Sequence, residues 1–289
     1  MNVQNLEIIV HGRLVRIGRM SNEWYDFVAE PKSFLAELQK MDERVDLFTF
    51  LQEPHDTEAH HEWHFEMEST SILPVSTVDH WMTKQINAKT RNMVRKSSKC
   101  GLVLREVPLD DDFINGIVDI YNECPSRQGK KFWHYGIDFD GAKAHIDTFT
   151  DRSQFVGAFD GSEMIGFFKL TRNANSASLM QVISKISHRD KAPNNALLAK
   201  AVEMCADQGI PFLQYGMWAE GTLGEYRQRH GFVRFDIPRY YVPLTAIGQV
   251  ALKLRLYRRP GEMIPDPLRK FLLSARAAWH ARKMPGASI

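Results

Sequence analysis

Cysteine is scarce in this sequence of 289 residues: Cys100, Cys124 and Cys205 are the three present, and no two stand in a C-x-x-C spacing. This scarcity excludes a disulfide framework and a cysteine-based zinc site. Long apolar runs are also missing, since none approaches the roughly 20 residues that span a bilayer, and the first residues lack a basic-then-apolar leader pattern. The sequence therefore predicts a cytoplasmic protein with reduced thiols.

Internal repeats and low-complexity segments are absent as well. The composition is that of a globular protein, with 44% hydrophobic and 25% charged residues, which is too apolar for a disordered chain. The length predicts one large or two moderate domains.

Charge is distributed unevenly although the formal net charge is only +2. Residues 21–79 carry fourteen acidic residues against three basic ones, whereas residues 246–289 carry nine basic residues against two acidic ones. A basic tail of this kind can meet phosphates, a membrane surface or the acidic third of its own chain.

Hydrophobic periodicity predicts strands in the first third of the chain and a long helix after it. Strands are expected at 6–10, 14–17 and 47–51, and from Trp63 onward with Trp63, Phe65 and Met67 on the buried face. A helix is expected over 32–41 and a longer one, with a basic face, over 78–99. From residue 101 the predicted order is β, α, α, β, β, β, α, β, α, β, β, which indicates a mixed α/β fold. Its elements are expected at 102–107, 110–121, 140–150, 154–159, 164–171, 177–186, 194–208, 212–215, 223–229, 232–236 and 240–242.

This element order resembles the GNAT acyltransferase fold, and three sequence features are similar to its FemAB branch. They are Pro193-Asn194-Asn195-Ala196-Leu197-Leu198, the strand end Gln214-Tyr215-Gly216, and Leu223-Gly224-Glu225-Tyr226-Arg227 before Gly231-Phe232. Upstream, residues 90–107 are similar to the entry into the second acyltransferase-like domain of that family. The resemblance implies a mixed, mostly antiparallel sheet flanked by helices.

The resemblance also implies a domain division. Residues 1–77 would form a reduced N-terminal acyltransferase-like half, residues 78–245 a GNAT-type acyltransferase domain, and residues 246–289 a basic tail with an amphipathic helix. That helix is expected over 268–282, where it either lies at an anionic membrane surface or docks on the protein.

Two departures from the family pattern concern the donor and the catalytic helix. Enzymes of the GNAT fold that use acetyl-CoA carry a glycine-rich turn before the long helix, whose amides hold the pyrophosphate, but here the turn reads Arg189-Asp190-Lys191-Ala192-Pro193. Where the FemAB pattern has an aromatic residue followed by Lys, this chain has Tyr226-Arg227. Arginine keeps the charge but does not act as an acid.

The resemblance assigns roles to particular residues. Predicted catalytic residues are Arg227 and Tyr226, which would stabilise the leaving group or the oxyanion, and His134 or Glu123, one of which would accept the amine proton. Strand 177–186 is expected to diverge from strand 212–215 and expose amides near residues 181–184. Predicted donor-binding residues are Ser184, Arg189, Lys191, Asn194 and Asn195.

The loop at residues 123–135 is the predicted acceptor site, because it concentrates cationic, aromatic and hydrogen-bonding groups. Predicted substrate-binding residues are Arg127, Gln128, Trp133, Tyr135, Gln181, Tyr215 and Trp218. The alternative for each is core packing or a solvated side chain. His60-His61-Glu62-Trp63-His64 lacks the HExxH spacing of a zinc protease, so no metal is predicted.

The sequence thus predicts an N-acyltransferase that moves an acetyl or aminoacyl group onto an amine of a cell-envelope or polysaccharide precursor. Acyl-CoA is the expected co-substrate, with a charged tRNA or a carrier protein as alternative donors. The chain lacks the coiled-coil arm common in tRNA-dependent FemAB enzymes. Two other functions stay open: an aminoacyl-tRNA-dependent peptidoglycan-type ligase, and a noncatalytic module that binds phosphate, RNA or glycan. The expected location is the cytoplasm, with peripheral membrane contact through the tail.

Overall fold

A computed structural model of the chain describes residues 1–127 and 129–258. Its α-helices are α1 (Pro31–Leu38), α2 (Val78–His80), α3 (Ala88–Lys99), α4 (Asp111–Asn122), α5 (Phe139–Ile146), α6 (Pro193–Asp207), α7 (Gly221–Arg229) and α8 (Ala246–Lys253). Its strands are β1 (Asn2–Val3), β2 (Leu6–His11), β3 (Ile17–Met20), β4 (Leu47–Leu51), β5 (His64–Pro74), β6 (Val103–Val107), β7 (Ser126–Arg127), β8 (Lys130–Lys131), β9 (Ser153–Asp160), β10 (Glu163–Arg172), β11 (Ser176–Ser184), β12 (Phe212–Met217) and β13 (Val233–Pro243).

Side-chain caps fix where five of these helices begin. Each cap accepts a hydrogen bond from an amide of the first turn, which has no partner inside the helix. The capping residues are Thr77, Asn87, Asp110, Asp138 and Thr245.

The chain divides into two compact units, which are described separately. Unit 1 contains residues 1–21, 28–50 and 240–258 of the described chain. Its strands follow the order β1, β2, β3, β4 and the carboxyl end of β13. The pairs β1–β2 and β2–β3 are antiparallel, and β3–β4 is parallel. Aromatic rings fill its interior, with Phe34 on Phe48 at 5.4 Å and Phe50 on Tyr240 at 5.2 Å between ring centroids.

Unit 2 contains residues 22–27 and 51–239. Its strands follow the order β13 (residues 233–239), β5, β12, β11, β10, β9 and β6. The pairs β12–β5, β10–β11, β10–β9 and β6–β9 are antiparallel, whereas β11–β12 is parallel. The segment 22–27 belongs to this unit because Glu23 pairs with the buried Arg239 and Asp26 pairs with Arg152.

Helices cover both faces of the unit 2 sheet. Successive residues of a strand point to opposite faces, so neighbouring residues of β10 pack in different cores. Phe168 packs in a core with residues of α6, and Phe167 packs in a second core with residues of α4 and α5. The predicted mixed α/β class, with mostly antiparallel strands and flanking helices, is confirmed. The division into 1–77, 78–245 and 246–289 does not follow these compact units, because β13 ends among the strands of unit 1; as a statement about domains it stays a prediction.

Several predicted elements were wrong in detail. The helix expected over 78–99 is interrupted, because α2 continues as a π-helical turn to Gln85, Ile86 is extended, and Asn87 caps a new helix. The strand expected at 14–17 begins at Ile17. The separate strands expected at 232–236 and 240–242 are one strand, β13.

The face assigned to β5 is also wrong. Phe65 and Met67, expected to be buried, are exposed, whereas the buried part of the strand begins at Thr70. The predicted amphipathic helix at 268–282 lies outside the described residues.

Candidate functional site

The strands β11 and β12 pair over only three residues and then separate. The pairs are Ser176 with Phe212, Ala177 with Leu213 and Ser178 with Gln214. The expected divergence is therefore confirmed. The register of β12 with β5 also shifts between Gln214 and Met217, directly after the last residue of β12 that pairs with β11. Gly216, inside this irregularity, has φ +67°, a conformation that favours glycine.

A buried hydrogen-bond network holds the point where the strands part. The Ser178 hydroxyl donates to Gln214 Oε1 over 2.9 Å, and Gln214 Nε2 donates to Thr70 Oγ1 over 3.1 Å. All three side chains are buried. Gln214 therefore links β11, β12 and β5 at the branch point, a role that its position at a strand end does not reveal.

The gap between the strands is a cavity of about 270 Å³, called here the strand-split cavity. Six predicted site residues line it: Arg127, Ser184, Arg189, Asn194, Tyr215 and Tyr226. Of the other lining residues, Phe132 belongs to the predicted acceptor loop, and Val182 and Ile183 belong to the stretch 181–184 whose amides were expected at the split. Thr222 and Leu223 were not predicted as site residues. A larger cavity of about 580 Å³ lies between β6 and α4, but no predicted site residue lines it.

The main-chain direction of β11 places hydrogen-bond donors at the split. The Lys185 amide donates to the Ile165 carbonyl on β10. Amides alternate between the two edges of a strand, so those of Val182 and Ser184 point away from β10 and toward the split. Such amides can stabilise an oxyanion.

The β7–β8 hairpin forms one wall of the strand-split cavity, and Arg127 is the cationic residue of that wall. Its Nη1 donates to the Ser184 carbonyl over 2.7 Å and its Nη2 donates to the Ile120 carbonyl over 2.9 Å. The guanidinium carbon lies 4.4 Å from the Phe132 ring centroid. Its Nε is buried and has no partner. Arg127 is thus fixed by its backbone contacts beside the amides of the split.

Glu123 is fully engaged in holding the turn after β11. Its carboxylate accepts hydrogen bonds from the Ile186 amide, the Ser187 amide and the Ser187 hydroxyl. Burial raises the pKa of Glu123, but these bonds and the Arg127 charge outweigh burial and hold that pKa below its ordinary value. The side chain is therefore an ionised anchor in this arrangement.

Helix α7 contributes the opposite wall. The Tyr226 hydroxyl donates to the Asn194 carbonyl over 3.1 Å. Burial, with the neighbouring Tyr215, raises the pKa of Tyr226 well above its ordinary value. Arg227 is 7% exposed and does not line the cavity; its guanidinium lies 4.5 Å from the Tyr215 ring centroid and donates to the Met217 carbonyl and the Ser71 hydroxyl.

The turn before α6 offers few main-chain donors. The amides of Lys191 and Ala192 donate to carbonyls of the preceding turn, and Pro193 has no amide hydrogen. Among residues 191–194, the Asn194 amide is the one without a described acceptor. Lys191 is paired with Asp160. The turn therefore lacks the row of amides that holds a pyrophosphate at a helix N-terminus.

His230 joins α7 to the beginning of α6. Its Nδ1 lies 2.7 Å from the Tyr226 carbonyl, and its Nε2 lies 3.0 Å from Asn195 Nδ2. The carbonyl requires a proton on Nδ1, which leaves Nε2 to accept from the amide. Burial lowers the pKa of His230. Asn195, a predicted donor-binding residue, is therefore engaged with His230.

The remaining predicted residues that the structure describes do not line the cavity. His134 is buried against Tyr121, and burial with nearby His145 and Arg127 lowers the pKa of His134 to about 4. Trp133 and Tyr135 are exposed. Gln181 accepts from the Tyr121 hydroxyl over 3.4 Å, and the Trp218 amide donates to the Ser69 carbonyl. Gln128 lies outside the described residues, and the roles predicted for these side chains stay predictions.

The described residues also bear on metal binding and on membrane insertion. Among residues 1–127 and 129–258, no group of three His, Cys, Asp or Glu side chains could hold a metal ion. In the same part of the chain, no helix is long and apolar enough to span a bilayer.

Comparison with known proteins identifies the fold. No protein-family model matches the sequence, and no functionally described protein matches it in sequence. The solved structure of FemX matches with a TM-score of 0.62 at 11% identity, over 86% of this chain and 86% of that one. L-PGS from Bacillus licheniformis matches with a TM-score of 0.53 at 14% identity, over 87% and 86%.

A third structure is the C-terminal domain of a protein named as a lysylphosphatidylglycerol synthetase, from Agrobacterium fabrum. It matches with a TM-score of 0.54 at 10% identity, over 88% of this chain and 86% of that one. The resemblance to the FemAB branch of the GNAT fold is thus confirmed at the level of the fold.

Proposed function

We propose that this chain is an acyltransferase that moves an acyl or aminoacyl group from an activated ester or thioester to an amine of a cell-envelope precursor. The observation that carries the proposal is the strand-split cavity, where the amides of Val182 and Ser184 lie beside the guanidinium of Arg127. Oxyanion donors and a fixed cation in one cleft are what acyl transfer requires. The fold shared with FemX is consistent with this reaction.

The proposed reaction is direct transfer without a covalent intermediate on the protein. The acceptor amine attacks the donor carbonyl, and the carbonyl oxygen becomes an oxyanion held by the amides of the split. The attacking amine releases one proton to water, the tetrahedral intermediate collapses, the bond to the donor oxygen or sulfur breaks, and the leaving group takes a proton. Tyr215 and Tyr226 both line the cavity, and we assign the supply of this proton to one of their hydroxyls.

The site suits an aminoacyl-tRNA donor better than a coenzyme A donor. The turn at 189–193 offers almost no free amides for a pyrophosphate, so donor phosphates would depend on side chains such as Arg127 and Arg189. Helix α3, which packs on α6, adds a basic face. Its cationic residues are Lys89, Arg91, Arg95, Lys96 and Lys99. Such a face suits a nucleic-acid backbone, and a cytoplasmic location would give access to charged tRNA.

Transfer assays and titrations test the donor together. Purified protein is incubated with total tRNA charged with labelled amino acids and with amine-bearing envelope precursors, and the label that becomes stable to mild base is counted. We expect transfer, and we expect no heat of binding with CoA or acetyl-CoA. Binding of CoA that is lost when Arg189 and Lys191 are both changed to Ala would instead place a CoA-type donor at α6.

A second form of the transfer assay tests the identity of the acceptor. One structure with this fold belongs to a protein named as a lysylphosphatidylglycerol synthetase, so phosphatidylglycerol vesicles are tested beside the amine precursors. Label recovered in the lipid fraction would make the acceptor a hydroxyl and correct the proposal on that point.

A noncatalytic binding module is the second candidate, and one observation favours it. No carboxylate or imidazole is among the described residues that line the strand-split cavity, so the lining supplies no obvious base for the amine proton. Salt-sensitive RNA binding without any transfer of label would support this candidate.

A further inference from the structure

Helix α8 presents an aliphatic stripe to solvent. Ile247, Val250 and Leu254 stand at helical spacing on one side, and Leu256 follows the end of the helix. Their exposed fractions are 44%, 54%, 59% and 45%. This group, called the α8 patch, is a cluster of exposed aliphatic side chains rather than a single exposed residue.

The stripe cannot turn inward, because the other side of α8 is fixed to unit 1. Gly248 and Ala251 are buried, and a Cβ on Gly248 would lie 1.8 Å from the Asp46 carbonyl oxygen. The Thr245 hydroxyl that caps the helix donates to the buried Asp46 carboxylate over 2.7 Å. The helix thus approaches the Asp46 backbone too closely to rotate.

The sequence in and after α8 is basic. The stretch 240–261 contains four Lys or Arg and no Asp or Glu. Lys253 and Arg255 are exposed, and Lys253 follows Val250 by three residues, so the two lie on neighbouring positions of the helix surface. A ligand that complements this surface must be both apolar and anionic.

We propose that the α8 patch binds the surface of an anionic lipid bilayer, with its aliphatic side chains in the acyl-headgroup boundary and Lys253 and Arg255 on the lipid phosphates. A bilayer of acidic lipids offers both chemistries at once. The basic residues that follow in the sequence, through Lys283, add charge of the same sign. That charge disfavours residues 259–289 as the occupant of this face, because like charges repel. This inference is independent of the proposed reaction.

The test is sedimentation of the full chain with large unilamellar vesicles. One set contains equal parts phosphatidylglycerol and phosphatidylcholine, and the other contains phosphatidylcholine alone. We expect binding to the acidic vesicles at about 0.1 M salt, and about tenfold weaker binding at about 0.5 M salt or with neutral vesicles. Val250→Asp should weaken binding to acidic vesicles by about tenfold, because it places a charge on the inserted face.

Val103→Asp is the matched control, since Val103 on β6 and Val250 are the same residue type with the same exposure of 54%. It should bind as the unchanged protein does. Equal binding to both vesicle types, no binding to either, or equal loss in both variants would overturn the proposal.

A spectroscopic arm reports insertion directly. Cys100 and Cys124 are changed to Ser, a single cysteine is introduced by Val250→Cys or Val103→Cys, and each is labelled with an environment-sensitive fluorophore. Acidic vesicles should shift the emission to the blue at position 250 and leave it unchanged at 103. A blue-shifted label at 250 before vesicles are added would show that the tail or a second copy covers the patch, and light scattering would distinguish these two occupants; either result overturns the proposal.

Discussion

Arg127 and Arg227 each donate to a main-chain carbonyl on one of the two strands that part at the cavity: Arg127 to Ser184 on β11, and Arg227 to Met217 on β12. Arg127 lines the strand-split cavity. Arg227 is buried behind it, over the ring of Tyr215. Two arginines that make the same kind of bond to a strand carbonyl therefore differ in position: Arg127 faces the cavity, and Arg227 faces the protein interior. Residue type alone does not determine whether such a side chain lines the cavity.

The largest expected effect comes from Arg127→Ala. The variant removes the cation beside the oxyanion amides, so we expect the transfer rate to fall by about hundredfold. The free energy of unfolding should change by only about 1 kcal/mol, because the bonds to the two carbonyls are partly replaced by water. The transfer rate in the tRNA assay and the free energy of unfolding in urea are measured for the variant and for the unchanged protein.

Arg127→Lys sharpens this test. Lysine keeps the charge but cannot donate to two carbonyls at once, so an intermediate rate is expected. A rate for Arg127→Ala equal to that of the unchanged protein would remove Arg127 from the site.

Arg227→Met is expected to have the reverse profile. Methionine fills the space but leaves the Met217 carbonyl without its buried donor, so we expect the free energy of unfolding to fall by about 2 kcal/mol. The rate of the folded variant should fall by much less than that of Arg127→Ala. A loss of about tenfold or more at unchanged KM would support the catalytic role that the sequence predicts.

Helix geometry explains why the two predicted catalytic residues of α7 separate. Consecutive helix positions differ by about 100° in direction, so the side chains of Tyr226 and Arg227 leave α7 in different directions. Tyr226 lines the cavity and Arg227 does not. The sequence alone predicts that the two side chains point in different directions. Which of them lines the cavity depends on how α7 packs on Tyr215.

Other features could be predicted because they depend on local pattern. The strands β9 to β11 follow from alternation and from the Asp160-Gly161 turn, and α6 follows from its apolar spacing and from Gly209. Features that depend on distant partners could not. Glu123 is engaged by Ile186 and Ser187, 63 and 64 residues later in the chain, and Gln214 meets Thr70 across 144 residues.

Gln214→Leu tests whether the hydrogen-bond network that links β11, β12 and β5 at the branch point acts as a unit. The change removes the buried hydrogen bonds that Gln214 makes with the Ser178 hydroxyl and with Thr70 Oγ1. The free energy of unfolding should therefore fall by about 1.5 kcal/mol. Ser178→Ala in the same background should then cost less than it does alone, because the two side chains share one bond. Fully additive effects would show that the network does not act as a unit.

Glu123→Gln tests the anchor on the Arg127 side through its pH dependence. A carboxylate with a lowered pKa stabilises the fold above its unfolded pKa of 4.5, and this contribution is lost as the pH falls through the lower folded value. At pH 7 the variant should be about 1 kcal/mol less stable, and its stability should decline less below pH 4.5. Parallel curves for the two proteins would mean that Glu123 is not held as an anchor.

Tyr226→Phe is expected to have the smallest effect on stability and to be the most informative about chemistry. Loss of the bond to the Asn194 carbonyl should lower the free energy of unfolding by about 0.5–1 kcal/mol. If the hydroxyl also gives the leaving group its proton, the rate should fall by about tenfold or more. Tyr215→Phe is the matched control, since both hydroxyl-bearing rings line the cavity. A rate loss confined to Tyr215→Phe would move the proton donor to β12, the strand whose end Arg227 holds, and would make the buried arginine a positioning residue for the reaction.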